Sequence, residues 1–354
     1  MISVGQFGLP STDPALEADL RLGMEAVEDL LRDTVKSDYP FVTETSRPLV
    51  EAGGKRFRPL LVLLAAQFGD PRAAGVVPAA VVVELTHLAT LYHDDVMDEA
   101  ALRRGAVSAN ARWDNNVAIL TGDFLFARAS DVLADLGPEA VRLQARTFER
   151  LVTGQIRETV GPGPDDDPVE HYLSVVADKT GSLIATSGRF GALLSGAEQP
   201  VVDVMTRFGE RIGVAFQLSD DLLDVSSDAA ISGKTPGTDL REGVPTLPVL
   251  HARRARGAGG AGGAGGAGGA GGTDNAATTL ADIRLLELLD SDLDDDALHK
   301  EALGLLRENR AMDAARDDLR RWAEDARSVL SPLRAGPARD ALESLCDVVV
   351  TRTA

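Results

Sequence analysis

Two apolar, helix-periodic stretches of this chain end in the same acidic pattern, Asp94-Asp95-Val96-Met97-Asp98 and Asp220-Asp221-Leu222-Leu223-Asp224, 126 residues apart. A helix places residues i, i+1 and i+4 on one rim, so each set of carboxylates crowds the polar end of a segment that must otherwise be buried. Like charges at that spacing repel unless something neutralises them. A solvated acidic face accounts for either cluster alone, whereas two matched clusters point to a paired site for hard, oxygen-seeking cations. Mg²⁺ is usually held by one or two carboxylates plus substrate phosphate oxygens, so the duplication suits a diphosphate bridged by several ions.

The neighbouring segments carry the counter-charge that a diphosphate needs. Gly53-Gly54-Lys55-Arg56-Phe57-Arg58-Pro59 places three cations within four residues behind two glycines, and Arg103-Arg104-Gly105 follows the first cluster after four residues. Arginine forks match phosphate oxygens bidentately and lysine acts as a point charge, so these segments are candidates for two anion pockets beside the metals. Surface cations at a helix start, or an ordinary ion pair with the acidic helix, explain each segment singly but not the set.

The order of these motifs resembles that of the trans-isoprenyl diphosphate synthases. Gly53 to Pro59, then His87-x5-His93-Asp94-Asp95-x2-Asp98-x4-Arg103-Arg104-Gly105, Lys179-Thr180, Gln217-x2-Asp220-Asp221-x2-Asp224 and Lys234-Thr-Pro-Gly-Thr-Asp-Leu-Arg-Glu-Gly run from about residue 45 to 250. Long, ordered and mutually spaced motifs are far more specific than any one of them. Within the family the chain looks most like the bacterial, in particular actinobacterial, long-chain polyprenyl diphosphate synthases of menaquinone side-chain synthesis. The resemblance implies an all-α fold, a single large helical bundle of the isoprenoid synthase type with a central active-site cavity, spanning residues 1–354 as one domain. It implies three Mg²⁺ per active site on Asp94, Asp95, Asp98, Asp220, Asp221 and Asp224. Arg103, Lys179, Thr180, Gln217 and Lys234 are implied at the allylic diphosphate, with Lys179 and Lys234 assisting its departure. Lys55, Arg58, His87 and Arg104 are implied at a metal-free isopentenyl diphosphate pocket, Arg56 being less certain. A homodimer and release of product to a membrane surface are expected on the same ground.

Composition agrees. Of 354 residues, 44% are hydrophobic, enough for a sizeable core, and only 4% are aromatic, with few alternating runs, which favours helices over strands. The net charge of −19 argues against a nucleic-acid partner and makes the local cation clusters more conspicuous. The single cysteine, Cys346, permits no intramolecular disulfide and reads as a small buried residue. No secretory signal is visible in the first 15 residues, and Val76 to Tyr92, the stretch nearest to a membrane span, is interrupted by Glu84 and His87. A soluble cytoplasmic enzyme is expected.

Periodicity and caps predict helices over 14–36, 43–52, 56–69, 76–99, 108–136, 138–160, 168–178, 181–195, 200–226, 245–255, 277–290, 296–309, 312–331 and 337–352. Residues 257–272 are a Gly/Ala tract without proline, read as a flexible loop joining neighbouring helices. His87 lies seven residues before Asp94, two turns or about 10 Å below it on the same face. On that face Thr86, Ala89 and Thr90 are small, which suggests a tunnel for a growing tail, with Phe124 and Phe126 as a candidate lower wall. Helix length gives a tunnel for about seven to ten isoprene units. Alternatives are a shorter, geranylgeranyl-type synthase, a noncatalytic subunit of a heteromeric synthase, and a terpene cyclase, which as a family replaces the second acidic motif that this chain repeats.

Overall fold

The computed structural model describes residues 13–226, 236–260 and 279–352. It is all-α: among the described residues, β pairing is confined to an antiparallel hairpin of two-residue strands, Leu102–Arg103 and Ala106–Val107. In order come α1 (Pro14–Thr34), α2 (Pro40–Glu51), α3 (Phe57–Ala66), α4 (Val76–Met97), the hairpin, α5 (Ala109–Arg112), α6 (Asn115–Ala134), α7 (Pro138–Val160), α8 (Pro168–Val176), a π turn (Ala177–Gly181), α9 (Ser182–Leu194) and α10 (Gln199–Ser226). Helices Thr238–Arg241, Leu247–Gly260, Leu280–Leu289, Asp296–Arg307, Arg310–Val329 and Pro337–Thr351 follow.

Local chemistry sets these boundaries. Asp13 caps α1 by accepting from the N–H groups of Ala15 and Leu16 at 2.9 and 2.8 Å, with Pro14 in the first turn, where its missing N–H costs nothing. The helix expected over 108–136 is instead broken at Trp113 and Asp114. Asp114 turns its carboxylate onto the Val117 N–H at 2.8 Å and restarts the helix as α6, the competition by which aspartate leaves helix interiors for caps. The helices expected over 168–178 and 181–195 run into one another through the π turn. The helix Leu247–Gly260 continues four residues into the Gly/Ala tract, since extending a formed helix costs far less than nucleating one; 261–272 lie outside the described residues.

The chain divides into two compact units, one of residues 1–156, 177–213 and 323–348, the other of 157–176, 214–322 and 349–354. In the first, α4 packs against α1, α3, α6 and α9. Nine of the ten residues of α3 are buried, so it is apolar all round and sits in the interior. By length and composition α4 could cross a bilayer, yet 67% of its apolar window is buried against other helices. Cys346 is buried in this unit, as the sequence suggests. In the second unit α8 packs on Leu247–Gly260, which packs on Leu280–Leu289, which in turn packs on Asp296–Arg307.

Candidate active site

The first acidic cluster closes α4. Asp95 is 1% exposed, Asp94 is half-buried and Asp98 is exposed. Arg103 reaches back from the hairpin, donating Nε to Asp95 Oδ1 at 2.5 Å and bringing Nη2 within 3.5 Å of Asp98. The other oxygen, Asp95 Oδ2, is buried with no hydrogen-bond partner. Burial pushes the Asp95 carboxyl up, against the opposing hydrogen bond from Arg103.

Arg104, next in sequence, has different partners. Its guanidinium donates to the carbonyls of Leu49 and Gly53, joining the hairpin to the Gly53–Arg58 loop. Gly54, at φ 151°, leaves room for it: a Cβ there would lie 3.0 Å from Arg104 Cζ. The positive-φ non-glycine residues among those described are Arg56, Glu99 and Arg104, all in the loops flanking this cluster. Such backbone costs on the order of 1–3 kcal/mol per residue and persists where packing over-determines it.

Arg56 is used inside. Its guanidinium donates to Glu28 at 2.6 Å, Glu84 at 2.8 Å and the Val50 carbonyl at 2.7 Å, with no exposed side-chain surface. It anchors the loop, while Lys55 stays exposed and Arg58 half-buried. This also accounts for Glu84 inside the apolar α4. His87 is held neutral, its pKa pushed well down by burial and then by the nearby Arg58 and Arg104.

Lys179 and Thr180 sit in the π turn, a local widening of the helix that exact 3.6-residue periodicity does not reveal. The turn fits closely against α7: a Cβ on Gly154 would lie 2.7 Å from the Lys179 backbone nitrogen.

The second cluster, on α10 in the second unit, holds each aspartate differently. Asp221 is 4% exposed; Gln217 Nε2 donates to its Oδ1 at 2.8 Å and the Tyr172 hydroxyl donates to its Oδ2. Its pKa is pushed up to about 6 by burial, against those two hydrogen bonds, with Asp220 and Asp224 adding repulsion. Asp224 accepts from the backbone N–H groups of Thr238 and Asp239 at 3.3 and 3.2 Å, where Gly237 turns the chain at φ 73°. Asp220 accepts from Arg352 at 2.6 Å. Lys234 lies outside the described residues. Sequence reasoning missed Tyr172 and Arg352; neither sits at helical spacing from an aspartate, so only the fold brings them there.

The small residues below Asp94 differ in surroundings. Thr86 is enclosed, donating to the Val82 carbonyl at 2.8 Å and accepting from Gln144 Nε2 at 2.7 Å. Ala89 is fully buried where α4 meets α6, a Cβ on Gly122 falling 3.1 Å from its carbonyl oxygen. Thr90 keeps accessible surface, as do His87, Leu91 and Asp94 on the same stripe. Phe126 packs its ring 4.5 Å from that of Phe148 and 5.7 Å from that of His93, and Phe124 is half-buried on the same helix.

These donors fit a divalent cation. A buried carboxylate oxygen without a partner at Asp95, and a carboxyl at Asp221 whose charge is disfavoured, are each relieved by a positive ion. Among the described residues no three His, Cys, Asp or Glu side chains form a ready-made cage.

Comparison with known proteins identifies the family and the fold. The model of the family Polyprenyl synthetase matches residues 39–259. Nonaprenyl diphosphate synthase of Mycobacterium tuberculosis is 47% identical over 346 residues, 98% of this chain and 97% of that protein. The crystal structure of geranylgeranyl pyrophosphate synthase from Corynebacterium glutamicum, complexed with calcium and isoprenyl diphosphate, is 44% identical, with a TM-score of 0.81 over 97% of this chain and 98% of that one. A decaprenyl diphosphate synthase structure from Rhodobacter capsulatus is 31% identical, with a TM-score of 0.81 over 96% of this chain and 99% of that one.

Proposed function

Because this chain belongs to the polyprenyl synthetase family, we propose that its two acidic clusters and their flanking cations together serve one reaction, the head-to-tail elongation of an allylic diphosphate by isopentenyl diphosphate. The protein is a trans-prenyltransferase, and its product is a long-chain all-trans polyprenyl diphosphate. We place the length at seven to ten isoprene units and the product in the menaquinone side chain, on the sequence resemblance.

One observation carries the division of labour. Arg103 and Arg104 are neighbours in sequence, yet Arg103 lies on the carboxylates of Asp95 and Asp98 while Arg104 lies on backbone carbonyls beside the Lys55–Arg58 loop and His87. A diphosphate that must leave needs metal and cations together; a diphosphate that must stay attached needs cations without metal. Asp94, Asp95, Asp98, Asp220, Asp221 and Asp224 would therefore hold Mg²⁺, three per site, with Arg103, Lys179 and Lys234 completing the allylic pocket. Lys55, Arg58, Arg104 and neutral His87 would hold isopentenyl diphosphate. Bound Mg²⁺ supplies charge neutralisation of the departing diphosphate.

The side chains then act as fixed dipoles and charges. The Asp carboxylates would hold the ions, and the Arg103 fork would orient the allylic diphosphate for cleavage of its C–O bond. Thr180 and Gln217 border the allylic cation with hydroxyl and amide oxygens. The alkene of isopentenyl diphosphate, held by the second set of cations, captures that cation, and the departed diphosphate takes the released proton. The tail descends past Thr90. The proposal includes a homodimer, a cytoplasmic setting and one functional synthase domain, supported by the resemblance.

Purified protein incubated with Mg²⁺, radiolabelled isopentenyl diphosphate and a farnesyl or geranylgeranyl primer should give all-trans products of seven to ten units. Products stopping at four units would favour the geranylgeranyl reading, and no incorporation would overturn the activity.

A further inference from the structure

Arg352 follows the helix Pro337–Thr351 and is anchored on α10. Its Nε donates to Ser219 Oγ at 2.7 Å, Nη2 donates to the Phe216 carbonyl at 3.0 Å and to Asp220 Oδ1 at 2.6 Å, and its guanidinium lies 4.5 Å from the centre of the Phe216 ring. Ser219 is fully buried and hands its own proton to the Val349 carbonyl at 2.8 Å, which fixes its lone pairs as acceptors for Arg352. This is a built seat for a guanidinium, and most of its contacts do not involve Asp220.

Asp221 accepts from the neutral Tyr172 and Gln217, and Asp224 accepts from the backbone N–H groups of Thr238 and Asp239. Asp220 carries a full positive charge against its oxygen. Its side chain is also 42% exposed, whereas Asp221 is buried, so it is the carboxylate of the two that an arriving ion reaches first. A cation at hydrogen-bond distance from a carboxylate oxygen competes for the same lone pairs as a metal.

We propose that Arg352 is the resting counter-ion of the second acidic cluster, a positioning residue that holds Asp220 in place and must yield its oxygen when a metal–diphosphate loads. This rests on the reading of the cluster given above. Because Ser219, the Phe216 carbonyl and the Phe216 ring retain the guanidinium, loading breaks one contact and leaves Arg352 in its seat. The residue keeps the carboxylate in register while the cluster is empty and raises the cation concentration needed to fill it.

The test is calorimetric titration of Mg²⁺ into the full-length protein in the presence of inorganic pyrophosphate, without turnover, with a melting curve on each variant. Arg352→Gln should need roughly three- to ten-fold less Mg²⁺ than wild type, the effect of removing one competing, partly screened charge. Arg352→Lys keeps the charge and should stay within about two-fold of wild type. Unchanged or increased Mg²⁺ demand in Arg352→Gln overturns the proposal. If Arg352→Gln does not melt cooperatively, Arg352→Met, which keeps the stem against Phe216, takes its place; loss of folding there too makes Arg352 a packing residue and overturns it equally. Asp220→Asn separates the two levels. Should it leave Mg²⁺–pyrophosphate binding untouched, the cluster itself has been misread; should it weaken binding while Arg352→Gln changes nothing, the counter-ion role alone fails.

Discussion

Replacing Asp221 with asparagine should stabilise the metal-free protein at the expense of catalysis. Burial at 4% exposure, with repulsion from Asp220 and Asp224 on the same helix, pushes the wild-type carboxyl up to about 6 from an ordinary value of 3.8. The shift is raised, so the folded state binds the proton more tightly than the unfolded chain. Folding stability from this group is therefore full below about pH 3.8 and is lost as pH rises through about 6. The difference, 6 − 3.8, is about 2.2 units and, at 1.36 kcal/mol per unit, amounts to about 3 kcal/mol as an upper figure. The substituted side chain would carry no charge, and its amide can still pair with Tyr172 and Gln217, either of which can donate or accept. Urea unfolding in chelator should show Asp221→Asn more stable than wild type by about 1–3 kcal/mol at pH 8, the gain shrinking towards zero near pH 4. Added Mg²⁺ and pyrophosphate should close the pH 8 gap by stabilising wild type more than the variant. A gain equal at both pH values, or a loss at pH 8, would refute the claim that a disfavoured buried charge waits here for a cation.

Asp94→Ala should lower kcat by about 100-fold or more with the melting temperature held or raised, since it removes leaving-group electrostatics and relieves repulsion; steady-state kinetics near wild type would remove it from the metal set. Arg58→Ala should raise KM for isopentenyl diphosphate by about 10-fold or more and leave the allylic KM within about two-fold, while Arg103→Ala should do the reverse; swapped effects in initial-rate assays would exchange the two pockets. Thr90→Phe should shorten the dominant product in chromatography without loss of folding. Ala89→Phe should cost about 1–3 kcal/mol in melting or urea experiments by overpacking the α4–α6 contact; a stable Ala89→Phe enzyme with short products would put Ala89 on the tunnel wall.

The helical fold was legible because long amphipathic segments repeat at 3.6 residues, and α1 and α7 start where Asp13-Pro14 and Pro138 say they should. What periodicity could not supply were short devices that answer to tertiary contact. The hairpin at Arg103 and Arg104 has two-residue strands, Asp114 breaks a helix with one side-chain hydrogen bond, and the π turn at Lys179 inserts a widening no apolar pattern marks. The acidic residues were legible because their spacing is local. Their supporting partners were not: Tyr172 precedes Asp221 by 49 residues, and Arg352 follows Asp220 by 132.

The two clusters solve one electrostatic problem in different ways. In the first, Arg103 lies eight residues beyond Asp95 on an adjoining hairpin, so the same local segment carries the charge and its partial answer, and one buried oxygen is left without a hydrogen-bond partner. In the second, the carboxylates are dispersed onto separate donors, several of them distant in the chain, and burial disfavours the charge of the most enclosed one. Neither arrangement is optimal for stability, since well-packed apolar residues would avoid the desolvation that both incur. If the two clusters serve the proposed reaction, the chain gains from both costs when positive charge arrives, because each ion would meet carboxylates already oriented and under-compensated. On the proposed function, the binding energy of a metal–diphosphate would be spent relieving repulsion that the fold imposed beforehand, which would tie loading of the substrate to loading of the metal.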